Sequence, residues 1–310
     1  MKNSTVFSLL FILSMLFVSC TLQPPSKIDA MASLYSKSIV VSNITYLSID
    51  SIDLKLDAYV PAKNLGGEPW VEYSPVRKPV LLYIHGGGWN SLNRSIRNLN
   101  FLPYVDKGWA VVNIDYRLLD QAPFPAGIAD CRYALNWIYE NADKYKFDTT
   151  KIVVSGESAG GHLALMTGFL PNDKEIAIPN KPITRKLKVD AVINWFGISD
   201  VEKLMDFWNS KSFTQKLVGD TAKKKAIFKS CSPLTYVNSS TPPVLTIHGD
   251  ADNSVPFIQA SLLHDALNKH GVKNTLVVIK GKKHGDFDEA EMSENFNAIW
   301  RFLKEAGIEK

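Results

Sequence analysis

Short apolar runs alternate with helical patterns along most of the chain. The apolar runs lie around Val80, Ala110, Ile152, Val189, Val244 and Thr275. Most of them are separated by stretches of helical periodicity, such as residues 126–145 and 289–305. Buried strands that alternate with helices are typical of a doubly wound, mostly parallel sheet with helices on both faces. The pattern therefore predicts an α/β fold.

Two further strands are predicted ahead of this alternation. Residues 39–41 and 54–60 alternate apolar and polar positions, and Asp50 and Ser51 between them indicate a turn. The pair adds an antiparallel edge, which makes a central sheet of about eight strands. A chain of 310 residues that is 45% hydrophobic can bury one large core. We therefore expect residues 36–310 to form a single domain.

The N-terminal segment predicts export. Residues 6–18 form an apolar run behind Lys2 that is too short to span a membrane, so residues 1–19 are interpreted as a secretory signal peptide. Cys20 follows directly, as at the cleavage site of bacterial lipoproteins, and we expect it to be lipidated, with residues 20–35 as a tether. The protein would then be a lipoprotein of the cell envelope. The competing interpretation is an ordinary signal cut nearby, with a periplasmic or secreted product.

Charge and cysteine content argue against several classes of ligand. The net charge of +4 is thinly spread, and the lysines at residues 223–225 are more typical of a solvated helix face than of a nucleic-acid contact. We expect no nucleic-acid partner, and membrane contact only through a lipid on Cys20. Cys131 and Cys231 are expected to be buried thiols. No cysteine and histidine cluster has metal-ligand spacing, so neither a metal nor another cofactor is expected.

A candidate nucleophile lies between a predicted strand and a predicted helix. Residues 156–160 read G-E-S-A-G, behind the apolar residues 151–155 and ahead of the helical residues 162–166. A serine in such a turn adopts a rare backbone conformation, and the flanking glycines leave room for the chain to close on itself. The alternative is an ordinary glycine and serine turn. We interpret Ser158 as the nucleophile of acyl transfer.

A second glycine motif supports this interpretation. Residues 85–89 read H-G-G-G-W and follow the predicted strand at residues 80–84. Three consecutive glycines are costly in ordinary structure, but they allow backbone N–H groups to approach a reacting oxyanion. The alternative is a flexible glycine turn. His85 is expected to order this loop rather than to act in catalysis.

The later strands supply a candidate acid and a candidate base. Asp250 and Asp252 follow the strand at residues 244–248, and we prefer Asp252. His284 follows the next strand, in a loop, and is the candidate general base. The order serine, aspartate, histidine is that of α/β-hydrolases. The other histidines outside the glycine loop are expected to be packing or surface residues: His162, His248, His264 and His270.

At this point the sequence resembles the α/β-hydrolase esterases near hormone-sensitive lipase, and more closely the bacterial feruloyl and acetyl esterase-like branch. The resemblance extends roughly from residue 36 to the C-terminus. Besides the two glycine motifs, it rests on D-Y-R-L at residues 115–118, F-P-A at 124–126, Asp130, Trp137, S-P at 232–233 and the run H-G to V-P at 248–256.

The resemblance implies roles for individual residues. In that family the second and third glycines of H-G-G-G, here Gly87 and Gly88, form the oxyanion hole with the residue after the serine, here Ala159. The acid is the aspartate of H-G-x-x-D-x-x-V-P, which matches Asp252 and decides between the two aspartates.

The resemblance also implies an activity. It is that of a serine carboxylesterase acting on short acyl esters through a Ser-His-Asp triad, with acetyl or feruloyl esters of carbohydrates as candidate substrates. Trp89 is a candidate wall for a sugar or aromatic ring, although it could equally brace the loop, and Glu157 is a second candidate substrate-binding residue. The expected partner is a small-molecule or carbohydrate ester.

Two segments are expected to surround the site. Residues 197–240 should form a small lid over it, and they carry no motif that indicates a substrate. Residues 170–187, with proline and asparagine breaks, are predicted to be a surface loop at the mouth of the site.

Three other functions remain open. A formamidase-like amidohydrolase would use the same triad. A peptidase of the prolyl-oligopeptidase type shares the catalytic fold, but the chain lacks the length for the additional domain of such enzymes. A non-catalytic envelope binding module is the third, and the intact set Ser158, Asp252 and His284 argues against it, because a binder need not keep all three.

Overall fold

The computed structural model describes residues 37–63, 72–95, 98–219 and 221–309. Three predictions fall outside these residues and stay predictions: the signal peptide at residues 1–19, the lipidated Cys20 and the tether at residues 20–35.

One sheet of eight strands organises the described residues. The strands are β1 (Ser38–Ile49), β2 (Ile52–Pro61), β3 (Lys78–Ile84), β4 (Ala110–Ile114), β5 (Phe147–Glu157), β6 (Ala191–Trp195), β7 (Val244–Gly249) and β8 (Asn274–Ile279). The α-helices are α1 (Leu102–Asp106), α2 (Ala126–Glu140), α3 (Ala142–Tyr145), α4 (Ala159–Phe169), α5 (Val201–Trp208), α6 (Lys211–Val218), α7 (Lys224–Ser230), α8 (Ile258–Lys269) and α9 (Glu289–Glu305). Short 3-10 helices cover Asn98–Phe101, Thr221–Lys223 and Pro233–Tyr236. Within the described ranges, no helix is both long enough and apolar enough to cross a membrane.

The strand order confirms the predicted sheet. Across the sheet it is β1-β2-β4-β3-β5-β6-β7-β8. All neighbours from β4 to β8 are parallel, whereas β2 is antiparallel to both β1 and β4. The turn between β1 and β2 falls at Asp50 and Ser51, where the sequence predicted it, and both residues have positive φ angles.

The central strand β3 shows how the core divides into two layers. Leu82 and Ile84 belong to the cluster that also contains buried residues of α2, α4 and α8. Leu81 and Tyr83 point to the other face and pack with residues of α1 and α9. Successive side chains of a strand point to opposite faces, so one buried strand contributes to both layers. Helices therefore cover both faces of the sheet, as predicted.

The prediction that residues 170–187 border the mouth of the site is wrong. Helix α4 begins at the carboxyl end of β5, and β6 runs parallel to β5. The crossover must therefore return the chain to the amino end of the sheet before β6 can begin. There Asn172 closes the loop on the backbone of Leu187 with hydrogen bonds of 2.8 and 2.7 Å. The loop lies at the edge of the sheet opposite the predicted catalytic residues.

Residues 197–240 form the small lid, built from α5, α6 and α7. The indole N–H of Trp208 donates to the Ser254 carbonyl at 2.8 Å, which ties the lid to the loop after β7. The N–H of Phe124 donates to the Leu217 carbonyl at 3.0 Å, which ties it to the loop before α2. The lid is thus anchored on two sides of the sheet's carboxyl edge.

Cys131 and Cys231 are buried and free, which confirms the prediction of two buried thiols. Burial raises the pKa of Cys131 well above its usual value and raises that of Cys231 to about 12. A thiol is a nucleophile only as the thiolate, so neither cysteine is suited to catalysis near neutral pH.

A buried ion pair joins the loop after β4 to α2. The Arg117 guanidinium contacts both carboxylate oxygens of Asp130, with the shortest distance 2.7 Å, and the Arg117 N–H donates to the same carboxylate at 2.9 Å. Asp130 is fully buried and Arg117 nearly so. A buried pair is costly to break because the remaining charge has neither water nor a partner.

We expect Asp130→Ala to lower the free energy of unfolding by about 3–5 kcal/mol, because it leaves Arg117 buried without its carboxylate. The control is Asp120→Ala, which removes an exposed pair with Lys216 at 2.7 Å and should cost less than about 1 kcal/mol. Chemical denaturation of both variants measures the difference. If both variants lose the same free energy of unfolding, the burial of the pair between Arg117 and Asp130 adds nothing to its stabilising effect.

Candidate active site

Ser158 lies in the sharp turn between β5 and α4, where the G-E-S-A-G motif places it. Its backbone angles are φ 53° and ψ −117°, a combination that residues with a side chain rarely adopt. Its N–H donates to the Trp195 carbonyl at 2.9 Å, and its own carbonyl accepts from the His162 N–H at 3.0 Å. These bonds hold a partly exposed serine at the carboxyl edge of the sheet.

The end of β3 lies directly against this turn. A Cβ atom at position 160 would be 2.2 Å from the Ile84 carbonyl oxygen and 2.5 Å from that of His85. No side chain fits at such distances, so the approach of the two backbones requires glycine at position 160. The approach places the glycine loop after β3 next to Ser158.

The glycine loop presents backbone donors. Gly87 has a φ of +108°, and a Cβ atom there would lie 2.2 Å from the Ser91 carbonyl oxygen, so this position also requires glycine. Within the described residues, the N–H groups of Gly87, Gly88 and Ala159 have no hydrogen-bond acceptor. They are therefore free to bind an anionic oxygen above the serine.

Two residues of the D-Y-R-L motif hold this loop in place. The Asp115 carboxylate accepts from the Arg94 N–H at 2.8 Å and pairs with the Arg94 guanidinium. The Tyr116 hydroxyl donates to the His85 carbonyl at 3.1 Å, and its ring stacks on the His85 ring at 4.4 Å between centroids. His85 thus orders the loop, as expected, and burial lowers its pKa.

Trp89 is only 1% exposed, which contradicts its prediction as a wall of the substrate site. Its indole N–H donates to His162 Nδ1 at 3.2 Å, and its ring packs edge-on against Phe124. The tryptophan instead braces the glycine loop against α4, which is the other role the sequence allowed.

His162 connects the glycine loop to the lid. An indole N–H can only donate and a carbonyl can only accept, so His162 Nδ1 accepts from Trp89 and Nε2–H donates to the Cys231 carbonyl at 2.6 Å. The imidazole is fully buried and neutral, and burial lowers its pKa to about 4. Its role is structural, in line with its assignment as a packing residue.

Asp252 and His284 are hydrogen-bonded to each other. His284 Nδ1 lies 2.7 Å from Asp252 Oδ2, and Oδ1 accepts from the N–H groups of Ser254 and Val255 at 2.8 and 2.9 Å. Burial would raise the pKa of Asp252, but the contacts from His248, His284 and the Val255 N–H outweigh it and lower that pKa below its usual value. Asp252 is therefore a carboxylate throughout the neutral range.

Asp250, the other aspartate of this loop, bonds the turn after β8 instead of His284. Its Oδ1 accepts from the Gly281 N–H at 2.6 Å, which stabilises the turn after β8. The preference for Asp252 thus agrees with the geometry of the pair.

His284 and Ser158 lie on either side of the end of β6. The Trp195 carbonyl holds the Ser158 N–H, and the next residue, Phe196, packs edge-on against the His284 ring at 4.7 Å. The His284 side chain is 23% exposed. No hydrogen bond joins Ser158 to His284 among the described residues, and such contacts often form only when substrate binds.

A pocket of about 290 Å³ opens beside these residues. Its lining consists of Asn100, Glu157, Trp195, Phe196, Gly285, Phe287 and Met292. Three of these seven residues are aromatic, and the polar end is the Glu157 carboxylate, whose Oε1 accepts from Tyr83 at 2.5 Å and from Asn100. Glu157 therefore borders the pocket, and its predicted contact with substrate stays a prediction.

The sequence reasoning missed the aromatic residues of this pocket. Trp195 is the last residue of β6 and Phe196 follows it, at the carboxyl end of a parallel strand, where ligands bind in open α/β sheets. That position was the available signal. Within the described ranges, no three histidine, cysteine, aspartate or glutamate side chains cluster so that they could hold a metal ion.

Comparison with known proteins identifies the family and several relatives of this chain. The family model BD-FAE matches residues 70–267. Among curated proteins, esterase LipC of Mycobacterium tuberculosis is 32% identical over 73% of this chain and 58% of its own length. The isoprenylcysteine alpha-carbonyl methylesterase ICME of Arabidopsis thaliana is 25% identical over 75% of this chain and 54% of its own length. The chain thus spans between half and three fifths of these relatives.

Solved structures agree with the fold. A truncated carbohydrate esterase from gut microbiota superposes with a TM-score of 0.69 at 26% identity, covering 88% of this chain and 98% of the other. The propionate-bound esterase 2 of Thermogutta terrifontis superposes with a TM-score of 0.69 at 27% identity, covering 88% of this chain and 95% of the other.

The buried His162 predicts a loss of stability in acid. Its folded pKa lies below that of an exposed histidine, so as the pH falls below about 6.5 the unfolded chain takes up a proton that the folded chain cannot. We expect this residue alone to cost about 3 kcal/mol of unfolding free energy between pH 7.5 and pH 4.

The measurement is the unfolding free energy of wild type and His162→Gln across that range. Glutamine offers a donor and an acceptor but does not titrate, so the variant should lack this part of the acid sensitivity. If the unfolding free energy falls with pH equally in wild type and His162→Gln, His162 is not the source of this acid sensitivity.

Proposed function

The chain belongs to the BD-FAE family of α/β-hydrolases, and we propose that it is a serine carboxylesterase that works through an acyl-enzyme. One observation carries the proposal. The elbow serine, the glycine N–H groups without an acceptor among the described residues, and the hydrogen-bonded pair Asp252 and His284 all lie at the carboxyl edge of one sheet. Together they supply a nucleophile, an oxyanion site and a base with its orienting acid.

In the proposed first half-reaction, the Ser158 hydroxyl attacks the ester carbonyl. His284 uses Nδ1–H to bind Asp252, so its Nε2 carries the lone pair that takes the serine proton. The N–H groups of Gly87, Gly88 and Ala159 bind the oxygen that becomes negative. The C–O bond to the alcohol then breaks, His284 returns the proton to the leaving alcohol, and Ser158 keeps the acyl group.

The second half-reaction replaces the alcohol with water. His284 takes a proton from the water as it attacks the acyl-enzyme, and the same three N–H groups bind the second oxyanion. Collapse releases the carboxylic acid and returns the proton to Ser158. Asp252 keeps its charge throughout and stabilises the imidazolium that forms twice in each cycle.

For the substrate, we propose a short-chain ester that carries a ring, such as an acetyl or feruloyl ester of a carbohydrate. The aromatic walls and the carboxylate and amide end of the 290 Å³ pocket support this class, because they suit a planar or pyranose ring with hydroxyl groups. The resemblance to a carbohydrate esterase from gut microbiota supports it as well.

The proposed nucleophile predicts that Ser158→Ala lowers kcat for p-nitrophenyl acetate by at least about 10³-fold. The matched control is Ser155→Ala in the same strand. The Ser155 hydroxyl is buried with no hydrogen-bond partner in the described part of the chain, so its removal should leave turnover within about twofold. Equal activity of Ser158→Ala and wild type would refute the proposal, provided that both fold.

The proposed pocket predicts selective losses for Phe287→Ala. We expect kcat/KM for a ring-bearing ester, methyl ferulate or acetylated xylobiose, to fall about tenfold, because one aromatic wall contact is lost. The value for methyl acetate should change less than twofold. Val278→Ala, at an exposed apolar residue outside the pocket lining, is the control. A uniform loss for all three esters would mean that this pocket does not bind the ring.

A further inference from the structure

A second histidine contacts the carboxylate of Asp252. His248 lies near the end of β7 and is completely buried. Its Nε2 is 2.8 Å from the Val255 carbonyl oxygen and 3.4 Å from Asp252 Oδ2. The same Oδ2 accepts from His284 at 2.7 Å, so two imidazoles approach one carboxylate oxygen, one from β7 and one from the loop after β8.

The surroundings of His248 fix its tautomer. Nε2 faces a carbonyl and a carboxylate, which are both acceptors, so it carries a hydrogen. Its Nδ1 is buried and has no partner within the described residues, so a second proton there would be an uncompensated buried donor. His248 therefore donates through Nε2–H.

Together with the Val255 backbone, the two side chains form a closed ring of contacts. Asp252 Oδ1 accepts from the Val255 N–H, and the Val255 carbonyl accepts from His248 Nε2–H. The Val255 residue is thus held at its N–H by the acid and at its carbonyl by the histidine. The ring of Phe257 packs edge-on against the His248 imidazole, with 5.7 Å between the ring centroids.

We propose that His248 is a positioning residue that holds the Asp252 carboxylate toward His284 and shares the negative charge on Oδ2. The inference rests on the proposed esterase function, because it assigns His248 a part in the work of the same base. The low pKa of Asp252 is consistent with it, since the contact from His248 favours the charged carboxylate.

The contact between His248 and Asp252 predicts the direction in which the pH dependence of kcat/KM shifts when His248 is replaced. His248 from β7 and His284 from the loop after β8 are the titratable groups that contact Asp252 among the described residues. If the hydrogen on His248 is removed, Oδ2 carries more negative charge and stabilises a protonated His284 more strongly. The acid limb of kcat/KM should then move to higher pH.

The kinetic test compares His248→Leu with His248→Gln. Leucine fills the site without a donor, whereas the glutamine amide places an N–H at about the reach of Nε2. We expect kcat of His248→Leu to fall by about 10²-fold with KM nearly unchanged, and its acid limb to rise by about half a pH unit. Most of both effects should be reversed in His248→Gln.

The control is His264→Leu. His264, in α8 and outside the site, is another buried histidine with one unpartnered nitrogen among the described residues. Its Nδ1 forms a hydrogen bond of 2.7 Å with Asn274 Oδ1, at the start of β8. Its loss should lower stability without moving the acid limb. If His248→Leu and His264→Leu show the same pH profile as wild type, His248 only supports the fold and the proposal is wrong.

A second readout separates this proposal from the esterase function. The Nδ1–H proton of His284, bonded to Asp252, should give a downfield proton NMR resonance that disappears in His284→Gln. We expect the resonance to shift or vanish in His248→Leu and to stay in His248→Gln and His264→Leu. An inactive wild type would overturn the esterase function. The NMR resonance would still test the role of His248, because an unchanged signal in His248→Leu would show that His248 does not position Asp252.

Discussion

The close contact between two backbone segments is the constraint on which the rest of the site depends. The end of β3 and the start of α4 approach so closely that a methyl group at position 160 would overlap the carbonyl groups of Ile84 and His85. Because of this contact, the glycine N–H groups lie over the turn that carries Ser158. The contacts around it hold that arrangement: Arg94 with Asp115, Tyr116 with His85, and Trp89 with His162.

The acid and base come from the other half of the sheet. Strand β6 separates the elbow after β5 from β7 and β8, which carry Asp252 and His284 in the loops that follow them. The last residue of β6 and the one after it fill the gap, since Trp195 holds the Ser158 backbone and Phe196 supports the His284 ring. A parallel sheet brings these loops to one edge, so distant parts of the chain meet without a dedicated domain.

Local patterns predicted the parts of the molecule that depend on local chemistry. The strands, the edge turn at Asp50 and Ser51, the serine elbow and the loops that carry Asp252 and His284 all have signals within a few residues. The remaining features depend on packing between residues that are distant in the sequence, which local patterns do not indicate. The indole of Trp89 turned inward to His162, which no local pattern indicates. The proline and asparagine content of residues 170–187 predicts exposure but does not indicate at which edge of the sheet the loop lies. The sequence around His248 predicts only a packing residue, because its contact with Asp252 depends on how the loop after β7 folds.

The central claim is that Ser158 is a nucleophile activated by His284 and Asp252. A fluorophosphonate reacts covalently with such a serine, so the most direct measurement is mass spectrometry of the folded protein after exposure to this reagent. We expect a single adduct on the peptide that contains Ser158, formed far more slowly when His284 is replaced by glutamine. An unmodified protein, or an adduct on another residue, would contradict it.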